Sequence, residues 1–318
     1  MGDSFVCRVC GFRGAAETYS VREMLHGLRE RFEYFMCAEC GALQIAEIPK
    51  DLGKYYPQDY YSLVQEKPIR RWLKDQRLKY IAGGMNPVGW AFHRLKSRGT
   101  GHMWVPQEMP MDSKILDIGC GRGEFIEEAF LRGYRCIRGI DPFLSDSNLR
   151  SWPFVIERKS IEELGDAEKF DFIIMNHSLE HMRDGVQLLK DVREHMSASS
   201  VLCVRIPMVA EGWKIYGTDW VGIDAPRHIV IHTQRSIAIA ASRAGLKIVK
   251  SWCDSNGFHY WASEQYQKDI PAMAANSWYI DPSKSVFTQE DIDKTEIRAV
   301  EANARGEGDQ SVYWMVRV

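Results

Sequence analysis

From residue 113 onward, short apolar runs alternate with stretches whose apolar positions recur every three to four residues. The runs at 114–118, 135–140, 154–156, 169–176, 201–206, 246–252 and 311–318 read as strands. Segments 124–132, 233–244 and the stretch running to about Met196 read as helices. Strands alternating with helices in this order predict an α/β fold with a doubly wound, mostly parallel sheet. Upstream, Arg31-Phe32-Glu33-Tyr34-Phe35-Met36 reads as an isolated strand, and Pro68 opens a helix reaching about Ala82. Gly83-Gly84 and Asn86-Pro87 then break the chain.

Composition narrows the class. The 318 residues are 45% hydrophobic and 26% charged, as expected for a folded globular chain long enough for one large domain and a smaller one. No apolar run approaches the roughly 18 residues of a membrane span. The first residues lack the basic-then-apolar pattern of a secretory signal, so a cytoplasmic location is expected. A net charge of −2 argues against a broad nucleic-acid footprint.

Four of the eight cysteines form two knuckles, Cys7-Arg8-Val9-Cys10 and Cys37-Ala38-Glu39-Cys40, separated by 26 intervening residues, each followed by glycine (Gly11 and Gly41). Each knuckle points two sulfurs at one point, and two knuckles complete the tetrahedron that suits Zn²⁺. Four protein ligands leave no open coordination position, so the expected ion is structural and replaces a core too small to fold alone. The spacing resembles a zinc ribbon and is assigned to residues 1–50.

A connector follows over residues 51–104. Tyr55, Tyr56, Tyr60 and Tyr61 flank Pro57 and suit either a stacking surface for sugars or bases, or packing of the ribbon on the main domain. Lys67, just before the 68–82 helix, and Arg70, Arg71, Lys74, Arg77 and Lys79 within it stand against Asp75 alone, with Trp72, Leu73, Leu78 and Ile81 as an apolar stripe. Such a helix suits a solvated face, a phosphorylated ligand or peripheral contact with an anionic membrane.

The segment most informative about chemistry is Ile115-Leu116-Asp117-Ile118-Gly119-Cys120-Gly121-Arg122-Gly123, a strand, a glycine turn and then a helix. Glycines there let backbone approach a ligand. The acid inside the strand suits a cationic ligand better than a pyrophosphate. Asp141 ends the next strand about 20 residues later, where a carboxylate can accept ribose hydroxyls. Asn176-His177-Ser178-Leu179-Glu180-His181 closes the fourth strand. Together these strings resemble motifs I and IV of class I S-adenosylmethionine-dependent methyltransferases, over residues 105–318. The resemblance implies a seven-stranded, mostly parallel, Rossmann-like sheet whose last strand runs antiparallel at the edge. It places Asp117, Gly119, Gly121, Gly123, Asp141, Ser160, Ile161 and Asn176 around S-adenosylmethionine. In that scheme Asp117 supports the methionine end, Asp141 takes the ribose, and Ser160 and Ile161 flank the adenine.

The acceptor side is sought in a loop at 207–232 and an insertion at 253–310. Asp224-Ala225-Pro226-Arg227-His228 resembles a segment of bacterial methyltransferases tied to surface polysaccharide or antibiotic sugars. Methyl transfer to a hydroxyl is an in-line displacement that needs a base, and histidine suits that task. His228 is the first candidate, oriented by Asp224 or Asp219, with His177 second and His181 third; Arg227 is a candidate anion clamp. Glu180 reads as a brace for the pocket. The expected function is O-methylation of a sugar, nucleotide-linked or in a glycan. Alternatives are C-methylation of a nucleotide-linked keto sugar, against which Pro226-Arg227-His228 stands where that group has another constellation, and RNA methylation by a zinc-ribbon enzyme.

Overall fold

The structure is a computed structural model that describes residues 4–56, 68–95 and 104–318. Pro57 to Tyr61 of the tyrosine segment, Lys67 and the Arg70 side chain lie outside the described residues. In chain order the elements are β1 (Phe5–Val6), β2 (Arg13–Gly14), β3 (Glu17–Arg22), β4 (Arg31–Met36), β5 (Leu43–Ile45), α1 (Pro68–Ile81) and α2 (Pro87–Leu95). Next come β6 (Ile115–Ile118), α3 (Glu124–Arg132), β7 (Ile137–Ile140), β8 (Val155–Glu157), β9 (Phe170–Asn176), α4 (Gly185–Glu194) and β10 (Met196–Pro207). The chain continues through α5 (Glu211–Tyr216), β11 (Val230–Ile231), α6 (Gln234–Arg243), β12 (Leu246–Cys253), α7 (Phe258–Gln267), α8 (Gln289–Arg305) and β13 (Gln310–Arg317).

Seven strands form one sheet in the order β12–β13–β10–β9–β6–β7–β8. Pairs β6–β7, β6–β9 and β7–β8 are parallel, and β12–β13 is antiparallel. This is the doubly wound, mostly parallel methyltransferase-type sheet the sequence pattern predicts. The chain divides into two compact units: Tyr56–Asn176 with Glu194–Cys203, and Met1–Tyr55 with His177–Arg193 and Val204–Val318.

In the first of these units, β6 is buried along its whole length and β9 nearly so, which is why both read as continuous apolar runs. Helix α3 places Ile126, Ala129 and Phe130 inward at helical spacing and ends at Gly133, whose N–H bonds to Phe130 O at 3.1 Å. Part of the basic face of α1 is engaged within this unit. Arg71 pairs with Glu127 at 3.0 Å, Lys74 lies 3.8 Å from the same carboxylate, and buried Arg77 donates to His93 Nδ1 at 3.3 Å. Trp72 is exposed instead of joining the apolar stripe, whereas Leu78 is buried.

The second unit holds the cysteine module. β1 and β2 form an antiparallel hairpin, and a four-stranded sheet runs β11–β5–β4–β3. Strand β4 is the one the sequence predicts before the second knuckle. β11 comes from the acceptor loop and pairs antiparallel with β5 (Val230 with Gln44, Ile231 with Leu43). The cysteine module and the acceptor loop therefore share one sheet. Tyr55 is buried, donates to Glu30 Oε2 at 2.5 Å and packs edge-on against Phe32 at 5.4 Å. It is a packing residue and not a stacking platform. The 253–310 insertion contributes two further helices, α7 and α8. No helix among the described residues is long and apolar enough to cross a membrane.

Candidate functional site

The glycine turn after β6 is built by backbone. Gly119, Gly121 and Gly123 have φ of +74°, +50° and +77°, in the left-handed region that suits a residue without Cβ. A Cβ on Gly123 would lie 2.4 Å from Ile156 Cδ1, so this position is closed by packing as well as by φ. Gly119 N and Cys120 N both donate to Ile140 O, at 2.9 and 3.2 Å, which ties the turn to the end of β7. Asp141 follows directly. Its Oδ2 accepts from Gly121 N at 3.2 Å and its Oδ1 from Phe143 N at 2.8 Å. Each oxygen keeps lone-pair capacity for a further donor.

Two carboxyls sit close in this pocket. Asp117 is buried within β6, and burial, reinforced by the charge of Asp141, pushes its carboxyl up to about 8. Burial also raises Asp141, opposed by the N–H groups of Phe143 and Gly121. A cationic ligand would relieve this strained pair; a pyrophosphate would not. Ile161 is buried beyond β8, and the N–H of Ser160 is taken by Glu163 Oε2 at 2.7 Å. Asn176 ends β9. All eight residues assigned to the nucleoside fall in this one unit.

The histidines form a second cluster, in the other unit. His177 has φ of +53°, in the left-handed region uncommon for a residue with a Cβ. Its Nδ1 faces Glu180 Oε1 at 3.1 Å and its Nε2 faces Arg205 Nη1 at 2.8 Å. Arginine has no acceptor, so Nε2 accepts and Nδ1 carries the proton donated to Glu180. Arg205 in turn bonds Asp254 Oδ2 at 2.6 Å. With both ring nitrogens engaged, His177 holds no lone pair for a substrate.

His228 is different. Its Nδ1 bonds Gly222 O at 2.9 Å, which fixes the proton on Nδ1 and leaves the Nε2 lone pair. The orienting group is thus a backbone carbonyl. Asp224 does not fill that role, because its Oδ2 is 3.8 Å from His228 Nε2 and its carboxylate grips Arg227 instead, with Nε to Oδ2 at 2.9 Å. Asp219 pairs with Arg22 at 2.9 Å. Nor is Arg227 an anion clamp for substrate. It is fully buried and satisfied by Asp224, by Tyr55 O at 3.0 Å and by Glu23 Oε1 at 3.4 Å. Burial opposes ionisation of Asp224, but Arg227 outweighs it and holds the carboxyl down at about 2. The Arg227–Asp224–Glu23 group is a buried brace that shapes the loop carrying His228. Glu23, Arg205 and Asp254 lie far from the motifs in sequence, and nothing in their local pattern marks them.

His181 Nδ1 bonds Arg227 O at 3.0 Å, and its ring meets that of His228 edge to face at 4.8 Å. Burial, then the neighbouring His228, pushes His181 down to about 4. Glu180 is fully buried; burial would raise it, but the His177 hydrogen bond and the surrounding histidines hold it at about 2. The cysteine module reaches this cluster directly. Tyr34 Oη donates to His228 O at 2.8 Å, Ile45 N bonds Ile229 O at 3.1 Å, Ile229 N bonds Glu180 O at 2.7 Å, and Thr233 Oγ1 bonds Cys40 O at 2.7 Å.

With the fold and both clusters described, the family can be read. A family described as a methyltransferase domain matches residues 90–251, just over half the chain. The chain belongs to that methyltransferase family. It is an S-adenosylmethionine-dependent methyltransferase of class I fold. No curated protein matches it. Among solved structures it is similar to a SAM-dependent methyltransferase from Archaeoglobus fulgidus, at 18% identity over 65% of this chain and 86% of that one, TM-score 0.41. It is also similar to a cyclopropane synthase from Mycobacterium tuberculosis (14% identity, 65% and 78% covered, TM-score 0.42) and to a coclaurine N-methyltransferase (16%, 66% and 69%, 0.42). Likenesses this distant carry no weight for substrate or mechanism.

Proposed function

We propose that this methyltransferase transfers the methyl group to a hydroxyl oxygen of a sugar, nucleotide-linked or within a glycan, with His228 as general base. The observation that carries the base assignment is the bond from His228 Nδ1 to Gly222 O, which leaves Nε2 as a directed lone pair. His177 spends both nitrogens on Glu180 and Arg205 and serves as a structural link between them. The sugar assignment rests on the Asp224–His228 string and its likeness to sugar-acting methyltransferases.

S-adenosylmethionine supplies a methyl carbon already activated by its sulfonium, so the protein's own task is alignment and proton removal. The turn 119–123 offers bare backbone to that ligand, Asp141 accepts the ribose hydroxyls, and Asp117 faces the methionine end. Ile161 covers an adenine face, with Ser160 beside it and Asn176 at the strand end. His228→Ala is expected to lower turnover about 10²-fold or more with cofactor affinity unchanged. Unchanged turnover on a sugar acceptor would retire it as base.

Cofactor binding carries a proton signature. In the free protein Asp117 is raised to about 8, so at pH 7 it is mostly neutral. A cationic ligand end favours the ionised form, so binding at pH 7 is expected to release close to one proton, and affinity to rise with pH until about 8. Calorimetry in buffers of different ionisation enthalpy measures the count. Asp117→Asn is expected to abolish the release, and a wild-type count of zero would contradict the assignment.

The four cysteines fit a structural Zn²⁺. Cys7 Sγ lies 3.5 Å from Cys40 Sγ and Cys10 Sγ 3.6 Å from Cys37 Sγ, with all four sulfurs within 4.8 Å of one another. A tetrahedral site with Zn–S near 2.3 Å needs sulfurs about 3.8 Å apart. Gln44 Nε2 at 3.1 Å and the N–H groups of Val9 and Cys10 at 3.4 Å donate to Cys7 Sγ. The Cys40 thiol and then these donors hold Cys7 below the usual thiol range, against the effect of burial. Gly41, at φ +73°, turns the chain out of its knuckle.

A further inference from the structure

Three side chains able to ligate a metal, Glu180, His181 and His228, converge beside the acceptor loop. His181 donates its Nδ1 proton to Arg227 O at 3.0 Å, and His228 donates its own to Gly222 O at 2.9 Å. On His228 this leaves the Nε2 lone pair directed away from the carbonyl. Glu180 is fully buried, and its Oε2 has no hydrogen-bond partner among the described residues. One ligand atom from each of Glu180, His181 and His228 lies within 4.8 Å of the others. A second acid stands at the rim, with Asp224 Oδ2 3.8 Å from His228 Nε2.

A buried carboxylate oxygen without a donor is unfavourable unless something positive sits beside it. Histidines that donate Nδ1–H to backbone carbonyls while presenting Nε2 are also the usual supporting geometry of metal-binding imidazoles. The geometry points to a second metal site, in which Glu180, His181 and His228 bind a borderline divalent transition cation such as Zn²⁺, Co²⁺ or Ni²⁺. Two imidazoles and one carboxylate disfavour Mg²⁺ and Ca²⁺, which take oxygen donors. Three protein ligands leave a coordination position open, unlike the closed Cys₄ site.

This site goes beyond the proposed sugar methylation, though it shares His228 with it. A cation and a substrate proton compete for the same Nε2 lone pair, so cation loading is expected to block His228 as base.

The test is titration of the full chain, with zinc retained in the cysteine module, by Co²⁺, read by visible ligand-field absorption and by metal content after dialysis. Exchange into the cysteine site is distinguished by its thiolate-to-metal charge-transfer band. Wild type is expected to take one added equivalent of Co²⁺ without that band. His181→Gln and His228→Gln are each expected to weaken it at least about tenfold. Glu180→Gln is less suited, because it also removes the carboxylate that accepts from His177 Nδ1 at 3.1 Å. Absence of the added equivalent in wild type, or its full retention in both variants, overturns the site. Turnover of the loaded protein bears separately on the base. A fall agrees with His228 as base, and a rise removes that role while the metal site stands.

Discussion

Replacing Asp141 by alanine is expected to weaken cofactor binding by about 10²-fold or more, enough to abolish it at ordinary concentrations, while the metal in the cysteine module is untouched. The reason lies in how little else the carboxylate does. Gly121 N and Phe143 N fix its two oxygens, and neither bond holds the sheet together. Each oxygen can take one ribose hydroxyl. Bonds of this charge-assisted kind contribute about 1.5–3 kcal/mol each, and two of them account for at least a hundredfold. Asp141→Asn is the gentler variant: it keeps the shape, loses the charge and is expected to fall between. Calorimetric titration with S-adenosylhomocysteine measures both. Wild-type affinity in Asp141→Ala would remove the ribose assignment.

Cys37→Ser is expected to release the zinc, melt the β3–β4–β5 layer and lower turnover together. Structural zinc contributes about 10–16 kcal/mol in isolated zinc modules, comparable to the entire stability of many domains at about 5–15 kcal/mol. The first knuckle, Cys7 to Cys10, lies in the turn between two strands of only two residues each. Loss of activity follows from the shared sheet. β11 begins two residues after His228, and Tyr34 and Ile45 bond the backbone of His228 and Ile229. A metal-free module therefore loosens the loop that presents Nε2. Thermal unfolding with and without a chelator, alongside metal content and turnover, makes the comparison. Unchanged melting and turnover in a metal-free variant would contradict the account.

The parallel sheet was legible because its strands are buried on both faces and read as unbroken apolar runs, as at 115–118 and 170–176. The turn at 119–123 was legible because its glycines and adjoining acid stand together in sequence. Boundaries were less so. The helix expected to reach about Met196 ends at Glu194, and β10 starts at Met196, ahead of the apolar run at 201–206, because Ser197, Ala198 and Ser199 continue the strand with small, solvent-facing side chains before Ser200 turns inward. The acceptor side was the least legible. Asp224-Ala225-Pro226-Arg227-His228 reads locally as a ready-made catalytic string, yet three long-range partners decide the roles. Glu23 and Tyr55 draw Arg227 inward, and Arg205 takes the second nitrogen of His177. Contacts across some 200 residues leave no trace in local pattern. The union of β11 with β5 was hidden for the same reason, since a two-residue strand has no periodicity to detect.

The most direct test of the central claim is a crystal structure of the full chain soaked with S-adenosylhomocysteine. The account predicts the nucleoside lying over the backbone of 119–123, with both ribose hydroxyls within hydrogen-bond distance of the Asp141 carboxylate and the amino-acid end beside Asp117. A nucleoside bound elsewhere, or a ribose that leaves Asp141 uncontacted, would contradict it.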